Sequence, residues 1–306
     1  MKNKIITPQF LKEGSVVGIT CPSGHVSVER VAYSISVLES WGFRVKTGKT
    51  IGSGAGYFSG TDQERLADMQ AMLDDDTLDA ILMGRGGYGM SRIIDAIDFT
   101  KFIEKPKWLC GFSDITVLHN HVHAKYGIAT LHSPMSGHFK PETEFEPFLL
   151  SLRDALTGNP LKYNIPASVC NRSGEGMGVL TGGNLALMAH LTGSVSEVNT
   201  EGKILFVEDV GEYLYNIDRM LMNLKRAGKL ESLKGIIFGG FTDIKDTERP
   251  FGKTIEELLL DMVKEYKYPV CFNFPAGHQD INYTLMLGKM HSLKVSSGGC
   301  ILEMLP

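Results

Sequence analysis

Cysteine is scarce in this sequence, and the cysteines that occur are far apart. The 306 residues include five cysteines, an odd number, with no Cys-x-x-Cys pair among them. This distribution excludes a disulfide framework and the usual cysteine-ligated zinc motifs, and it is typical of reduced thiols. We therefore expect a cytoplasmic protein that is stabilised by a hydrophobic core rather than by cross-links.

Long apolar runs and blocks of basic residues are missing too. No stretch of about 18 apolar residues occurs, and residues 1–10 lack the apolar run of a secretory signal. The net charge is −4 and the basic residues are scattered, which favours neither nucleic acid nor a membrane as a partner. With 43% hydrophobic and 22% charged residues, the composition is that of a globular protein with one large domain or two.

Strand and helix patterns alternate through the first half of the chain. A capping box of Thr61 and Glu64 marks one helix start. Such alternation predicts a parallel sheet that is covered on both faces, with ligands at the carboxyl ends of its strands. The strand patterns lie at 15–20, 43–46, 78–83 and 108–110, and the helical patterns lie at 28–41, from 61 onwards and at 115–124.

The alternation breaks off in a stretch rich in proline and glycine, which we interpret as a linker that contains a short helix. The second half mixes helical segments with strands that are more hairpin-like near the end. We expect an N-terminal domain at 1–140, a linker at 141–174 and a C-terminal mixed α/β domain at 175–306. In the second half, helices are predicted near 185–192, 212–227 and 253–266, and strands at 203–208, 235–238, 269–273 and 285–295.

Ser113 lies in the pentapeptide Gly-Phe-Ser-Asp-Ile, between a strand pattern and a helix pattern. A serine at a sharp strand-to-helix turn projects its hydroxyl outward, and the N–H groups of the following helix point to the same space. This predicts a nucleophile with an oxyanion site beside it. The alternative is a helix N-cap, which is a common role of serine. Ile115 replaces the second glycine of the Gly-x-Ser-x-Gly elbow, so the segment is not that of a standard α/β-hydrolase.

The segment 84–89, Gly-Arg-Gly-Gly-Tyr-Gly, satisfies the Gly-x-Gly-x-x-Gly pattern of dinucleotide sites. Its position argues against that function, because it follows the third strand rather than the first. A loop of this kind also lets the backbone approach a ligand, so Gly86 or Gly87 can supply a second oxyanion donor. Arg85 pairs either with a substrate carboxylate or with a structural acid, and the sequence does not decide between these two roles.

A serine nucleophile needs a base, and His278 is placed for this role in a loop just beyond a strand. Glu208 is the acid candidate, since four apolar residues lead into it and a buried carboxylate needs a partner. The alternatives are a surface histidine and an acid at a helix N-terminus, the latter fitting Asp209 better than Glu208. A further cluster, His119-Asn-His-Val-His123, is similar to a metal motif, but at helical spacing only its first and last histidines share a face.

These segments together resemble the LD-carboxypeptidases, a family of serine peptidases that includes muramoyltetrapeptide carboxypeptidase. The resemblance extends over almost the whole chain, and it is carried by the segments 18–24, 84–89, 111–116 and 180–185, with Glu208 and Pro275-Ala-Gly-His278.

The resemblance implies an N-terminal flavodoxin-like domain that carries the nucleophile, a C-terminal domain that carries the acid and the base, and an active site between them. By motif position Ser113 is the nucleophile, Glu208 the orienting acid and His278 the general base, with the N–H groups of Asp114 and Gly86 forming the oxyanion hole.

The same resemblance implies a cytoplasmic homodimer without a metal or other cofactor, which removes the terminal D-alanine from murein tetrapeptides. Arg85 and Asn184 are the candidates for substrate binding. Two alternatives remain: a hydrolase that inactivates peptidyl-nucleotide antibiotics of the microcin C type, and a non-catalytic protein that binds a small molecule.

Overall fold

The computed structural model describes residues 5–306 and divides them between two compact units. Met1–Lys4, with which the expected N-terminal domain begins, lie outside the described residues. The first unit extends to Asn159 and also takes in Tyr283–Met286, while the second contains Pro160–Asn282 and Leu287–Pro306. Each unit has a sheet of its own, and the mixed α/β class predicted from the sequence is confirmed.

The described residues form strands and helices in an order that alternates in the first half of the chain. The strands are β1 (Val16–Thr20), β2 (Arg44–Thr47), β3 (Ala80–Met83), β4 (Trp108–Gly111), β5 (Thr130–His132), β6 (Lys162–Ile165), β7 (Gly174–Asn184), β8 (Ile204–Val210), β9 (Gly235–Thr242), β10 (Val270–Cys271), β11 (Leu285–Leu287), β12 (Met290–Ser296) and β13 (Gly299–Met304). The α-helices are α1 (Val28–Ser40), α2 (Asp62–Asp74), α3 (Met90–Ile93), α4 (Thr100–Glu104), α5 (Thr116–Tyr126), α6 (Pro147–Thr157), α7 (Leu185–Leu191), α8 (Leu214–Arg226) and α9 (Ile255–Val263).

The first sheet has six strands in the spatial order β11-β5-β4-β3-β1-β2. The pairs β1–β2, β1–β3, β3–β4 and β4–β5 are all parallel. The order β2-β1-β3-β4-β5 is that of flavodoxin-like sheets, in which the chain direction across the sheet reverses between β1 and β3. The carboxyl ends of these two strands are therefore the expected place for a ligand, and the glycine-rich segment 84–89 directly follows β3.

The second sheet has seven strands in the order β10-β9-β8-β7-β12-β13-β6. Strands β7 to β10 pair in parallel, whereas β12 is antiparallel to both β7 and β13, and β13 is antiparallel to β6. The single strand predicted at 285–295 is divided into β11 and β12, which belong to different sheets, and β13, which forms an antiparallel pair with β12, lies beyond the predicted strands. The stretch 141–174, expected to be a linker, contains α6 and β6.

Local sequence signals account for several helix boundaries. Thr61 accepts a hydrogen bond from the Glu64 N–H while the Glu64 carboxylate accepts one from the Thr61 N–H, so the predicted capping box is confirmed at the start of α2. Thr254 and Glu257 form a second box at the start of α9. No helix within residues 5–306 is long and apolar enough to span a membrane.

Candidate active site

Ser113 has a backbone conformation that is uncommon for residues other than glycine. Strand β4 ends at Gly111, Phe112 is extended, and Ser113 has a φ angle of 64° at the start of a 3₁₀ turn that leads into α5. Such a conformation costs about 1–2 kcal/mol and persists only where the surrounding structure enforces it. The result is a sharp strand-to-helix turn of the kind that presents a nucleophilic serine.

Helix capping does not account for a serine at position 113. The N-cap of the 3₁₀ turn is Phe112 and that of α5 is Ile115, and neither makes a side-chain capping bond. Ser113 itself is partly accessible, whereas its neighbours Phe112 and Asp114 are buried. The sequence-based alternative that Ser113 is an N-cap is therefore wrong.

His119 stabilises the turn through a hydrogen bond to its backbone. It is 1% exposed, and its Nε2–H donates to the Gly111 carbonyl oxygen at 2.8 Å. Burial lowers the pKa of His119 to about 4, so the ring is neutral at physiological pH. A neutral donor thus fixes the carbonyl two residues before Ser113.

Asp114 joins the serine turn to two other loops of the first unit. Its side chain is 1% exposed, and Oδ2 accepts hydrogen bonds from the Ser23 hydroxyl at 2.5 Å and from the Met90 N–H at 2.7 Å. Ser23 follows β1, and Met90 directly follows the glycine-rich segment. One buried carboxylate therefore connects the carboxyl ends of β1, β3 and β4, and it leaves the backbone N–H of Asp114 beside Ser113.

The glycine-rich segment approaches Ser113 so closely that only glycine fits at position 86. A Cβ built on Gly86 would lie 2.8 Å from Ser113 Cβ and 3.1 Å from Ser113 Oγ. The Gly86 carbonyl accepts a hydrogen bond from the Gly24 N–H at 2.9 Å, which fixes this part of the loop against the loop after β1. Gly86 thus lies directly beside Ser113, and its role as an oxyanion donor stays a prediction.

Arg85 is exposed and is held by its backbone neighbours rather than by an acid. Its Nη1 donates to the His25 carbonyl oxygen at 2.8 Å. Among residues 5–306 no carboxylate forms an ion pair with it. The sequence-based alternative of a structural ion pair is therefore not realised in the described residues, and the prediction that Arg85 meets a substrate carboxylate stays open.

Glu208 and His278 form a hydrogen-bonded pair in the second unit. Glu208 is fully buried, and its Oε2 accepts from the His278 Nδ1–H at 2.7 Å and from the His278 backbone N–H at 3.0 Å. The His278 side chain is 20% exposed. With its proton held at Nδ1, neutral His278 carries the basic lone pair on Nε2, which is the arrangement required of a general base.

Two opposing effects act on the pKa of His278. Burial lowers it, but the hydrogen bond to Glu208 and the negative charges of Glu208 and Asp209 outweigh burial, and the pKa is raised above its ordinary value. The glutamate therefore stabilises the protonated ring that forms when His278 accepts a proton.

Close backbone contacts hold this pair in place. Gly277 has a φ angle of 103°, and a Cβ built there would lie 2.6 Å from Glu208 Cγ. The His278 carbonyl accepts from the Thr242 hydroxyl at 2.5 Å, and the Gly277 N–H donates to the buried Asn282 at 2.8 Å. Hydrogen bonds at Gly277 and at His278 thus hold this loop beside Glu208.

Asp209 and Asn184 form a second buried polar group beside the pair. Asn184 Nδ2 donates to Asp209 Oδ1 at 3.0 Å, and the Ala186 N–H donates to Asp209 Oδ2 at 3.0 Å. Burial, followed by the charge of Glu208, raises the pKa of Asp209 to about 6. Asn184 also caps α7 by accepting from the Leu187 N–H, so it has a structural role whether or not it binds substrate.

The histidines of α5 do not come together as metal ligands. His119 bonds the Gly111 carbonyl, whereas the His121 ring stacks on Phe99 with a centroid distance of 5.3 Å. Among the residues that the structure describes, no group of three or more histidine, cysteine or acidic side chains is arranged to hold a metal ion.

Sequence reasoning missed the polar side chains that support the site. The sequence patterns indicate a role only for the backbone of Asp114, and they indicate no supporting role for Ser23, His119 or Arg65. Arg65 is 0% exposed and its guanidinium donates to the carbonyls of Gly89 and Pro22. The available signal was a charged residue on the helix face that also carries Met69 and Met72, because a buried charge needs partners.

Each unit thus contains its own group of polar residues of the kind found in serine hydrolases. The first unit has a strained serine turn against a glycine-rich loop, and the second has a histidine that a buried glutamate orients. Nucleophile, base and orienting acid are the groups that covalent hydrolysis of an amide requires.

Comparison with known proteins finds matches in both halves of the chain. Residues 17–133 match the model of the LD-carboxypeptidase N-terminal domain, and residues 177–293 match that of the LD-carboxypeptidase C-terminal domain. The probable murein peptide carboxypeptidase of Bacillus subtilis (strain 168) is 32% identical over 299 residues, which cover 97% of this chain and 94% of that protein.

Solved structures are similar over the whole chain. The crystal structure of muramoyltetrapeptide carboxypeptidase from Oxalobacter formigenes has a TM-score of 0.86 and 26% identity, covering 95% of this chain and 99% of that one. MccF in complex with glutamyl sulfamoyl guanosine also has a TM-score of 0.86, covering 99% of both chains, but at 22% identity it supports the fold alone. From the two family models and the relative in Bacillus, this chain belongs to the LD-carboxypeptidase family of serine peptidases.

Proposed function

We propose that this protein is an L,D-carboxypeptidase that hydrolyses the amide between an L-centre and the terminal D-alanine of murein tetrapeptides through an acyl-enzyme at Ser113. The observation that carries the proposal is the left-handed serine turn packed against Gly86. The name of the relative in Bacillus and that of the Oxalobacter structure support murein peptides as the substrate class. We further propose that the protein acts in the cytoplasm as a homodimer, with no metal or other cofactor.

In the acylation step the Ser113 hydroxyl oxygen attacks the carbonyl carbon that precedes the D-alanine. His278 Nε2 takes the hydroxyl proton, and the backbone N–H groups of Asp114 and Gly86 stabilise the negative charge on the carbonyl oxygen. When the tetrahedral intermediate collapses, the C–N bond breaks and the histidine gives its proton to the leaving amine. D-Alanine departs, and the rest of the peptide stays on Ser113 as an ester.

In the deacylation step a water molecule attacks the ester carbonyl while His278 accepts one of the water protons. The same N–H groups stabilise the second tetrahedral intermediate. Its collapse returns the proton to the Ser113 oxygen and releases a peptide with a new carboxyl terminus. Glu208 stays ionised throughout and stabilises the imidazolium form of His278 in both steps.

The exposed positive charge of Arg85 fits a substrate with a free terminal carboxylate. Arg85 carries a positive charge with no acidic partner in the described part of the chain, next to the loop that contacts Ser113. A carboxypeptidase must distinguish a terminal carboxylate from a continuing peptide, and a guanidinium is suited to this. We propose Asn184 as a second residue that contacts the substrate.

D-Alanine release from a purified murein tetrapeptide tests the proposal. We expect release by the wild-type protein and none above background by Ser113→Ala. The exposed Ser297 is a matched control, so Ser297→Ala should be as active as wild type. Full activity of Ser113→Ala would contradict the assignment of the nucleophile.

Two further outcomes would point to the alternatives. Hydrolysis of a peptidyl-nucleotide without release of D-alanine would favour a detoxifying hydrolase. Absence of hydrolysis of either substrate, with no covalent adduct of a serine-reactive probe at Ser113, would favour a non-catalytic binding protein.

A further inference from the structure

An exposed tyrosine lies over the glycine-rich loop on the side of the first unit that carries Ser113. Tyr57 belongs to the loop after β2, and its side chain is 59% exposed. The loop is attached by its backbone, because the Tyr57 carbonyl accepts from the His25 N–H at 3.3 Å and Phe58 forms a β-bridge with Gly24. The position of Tyr57 is therefore determined by the loop after β1 and does not depend on the exposed ring.

The phenol hydroxyl reaches the middle of the glycine-rich loop. A Cβ built on Gly87 would lie 3.0 Å from the Tyr57 hydroxyl oxygen and 3.5 Å from the Gly24 Cα. Gly87 has a φ angle of 99°, so the loop bends at this residue beneath the hydroxyl. The hydroxyl makes no hydrogen bond to any other residue in the described part of the chain. A polar group of a ligand can therefore bind to it without displacing an existing partner.

Arg85 lies beside the same glycine of the loop after β1. A Cβ built on Gly24 would lie 3.6 Å from Arg85 Nε and 2.8 Å from the Gly86 carbonyl oxygen. The bond from Arg85 Nη1 to the His25 carbonyl restricts the guanidinium, which otherwise faces solvent. Tyr57 and Arg85 thus both lie where the glycine-rich segment meets Gly24. Gly86, which lies between Arg85 and Gly87 in the sequence, is beside Ser113.

We propose that the Tyr57 hydroxyl and the Arg85 guanidinium together bind the free α-carboxylate of the terminal residue of the substrate. This proposal rests on the proposed carboxypeptidase function, and it names the residue that restricts cleavage to peptides with a free chain end. A carboxylate has two oxygens, one of which accepts from the guanidinium and the other from the phenol. A carboxamide is uncharged and offers only one acceptor oxygen, so it lacks the charge-assisted pairing that a carboxylate makes with the guanidinium and the phenol. Tyr57 is accordingly a specificity-determining residue.

The substitution Tyr57→Phe removes the hydroxyl and keeps the packing of the ring, so it tests the role of the hydroxyl in binding alone. The Tyr57 ring contacts Phe58 edge to face with a centroid distance of 5.6 Å, and Tyr57→Phe keeps this contact. Tyr215→Phe is the matched control, because Tyr215 is also exposed and its ring stacks on that of Tyr213, away from the glycine-rich segment.

The test compares a tetrapeptide that ends in D-alanine with the same peptide that ends in D-alaninamide. We expect the wild type to prefer the acid, and Tyr57→Phe to lower kcat/KM for the acid by about tenfold or more, because a hydrogen bond to a charged group is lost. The value for the amide should change by less than about twofold, and Tyr215→Phe should leave both values as in wild type. Calorimetric binding of both peptides to Ser113→Ala, with and without Tyr57→Phe, should show the same loss of preference without turnover.

Several results would overturn the inference. Equal losses for acid and amide in Tyr57→Phe would show that the hydroxyl acts structurally, and an unchanged value for the acid would show that it does not act at all. A wild type that cleaves acid and amide equally would contradict the carboxylate subsite but not the carboxypeptidase chemistry. A protein that binds the acid in preference to the amide, loses that preference in Tyr57→Phe and yet releases no D-alanine would support the subsite and contradict the proposed function.

Discussion

The turn that carries Ser113 and the pair formed by Glu208 and His278 are built in different ways. The serine turn depends on backbone shape, namely a φ angle of 64° and a glycine that nearly touches the side chain. The pair depends on buried charge, since Glu208 is fully buried and Asp209 is 2% exposed. We infer that the first region is sensitive to changes of volume, whereas the second is sensitive to changes of charge and pH.

The largest expected effect tests whether the two regions act as a unit. Ser113→Ala and His278→Ala should each lower kcat by about 10⁴-fold or more, because nucleophile and base take part in the same proton transfer. The double variant should be no less active than either single variant. Rates of D-alanine release for the three proteins check this, and losses that multiply would show that the two residues act independently.

Removing the charge of Glu208 should cost nearly as much and should also change the pH dependence. Glu208→Gln keeps the size of the side chain, and we expect kcat to fall by about 10³- to 10⁴-fold. Because the pKa of His278 is raised in wild type, the acid limb of kcat/KM should lie above about pH 6.5, the ordinary histidine value. Without the carboxylate, burial dominates, so the limb should move to lower pH.

The pH profiles of wild type and Glu208→Gln decide this point. A limb that stays in place, or moves to higher pH, would contradict the assignment of Glu208 as the group that raises the pKa of His278.

A change of volume beside Ser113 should act on the rate without moving the pH profile. In Gly86→Ala the new methyl group would lie 2.8 Å from Ser113 Cβ, so the loop must shift away from the serine. We expect kcat to fall by about 10²-fold, the usual loss for a displaced oxyanion donor, with the acid limb unchanged. Gly298→Ala is the control, because its methyl group would meet nothing closer than 3.7 Å. A shifted acid limb in Gly86→Ala would contradict the separation of the two regions.

The smallest expected effect concerns Asp209. Its negative charge raises the pKa of His278, so Asp209→Asn should move the acid limb of kcat/KM to lower pH by less than about one unit. The exposed Asp280 provides a control, since solvent screens its charge, and Asp280→Asn should leave the limb in place. A limb that moves equally in both variants would mean that the shift does not come from the buried carboxylate.

The sequence was sufficient to predict elements with a strong local signal. Strands β1, β3 and β4 are short apolar runs, and the capping box of Thr61 and Glu64 marks the start of α2. Their positions after apolar strands made Glu208 and His278 candidates for acid and base, and the family resemblance then assigned both to one site. The bond between their side chains joins residues that are distant in sequence, so no local pattern could have revealed it.

Strand β7 shows where local reasoning failed. Its sequence, Gly174–Asn184, contains five glycines before the final asparagine, which is unfavourable for a strand. The structure gives a reason for two of them, because a Cβ at Gly176 or Gly182 would lie within 2 Å of a backbone oxygen of Lys234 or Phe206. Such close approach depends on tertiary neighbours, and the sequence alone does not contain it.

The rate at which a fluorophosphonate labels Ser113 tests the central claim most directly, because it measures the nucleophile without requiring any particular peptide. Intact-mass spectrometry should show one adduct on wild type and none on Ser113→Ala. The labelling rate should fall strongly in His278→Ala and in Glu208→Gln, since both remove activation of the serine. Labelling of His278→Ala at the wild-type rate would contradict the claim that the pair formed by Glu208 and His278 activates Ser113.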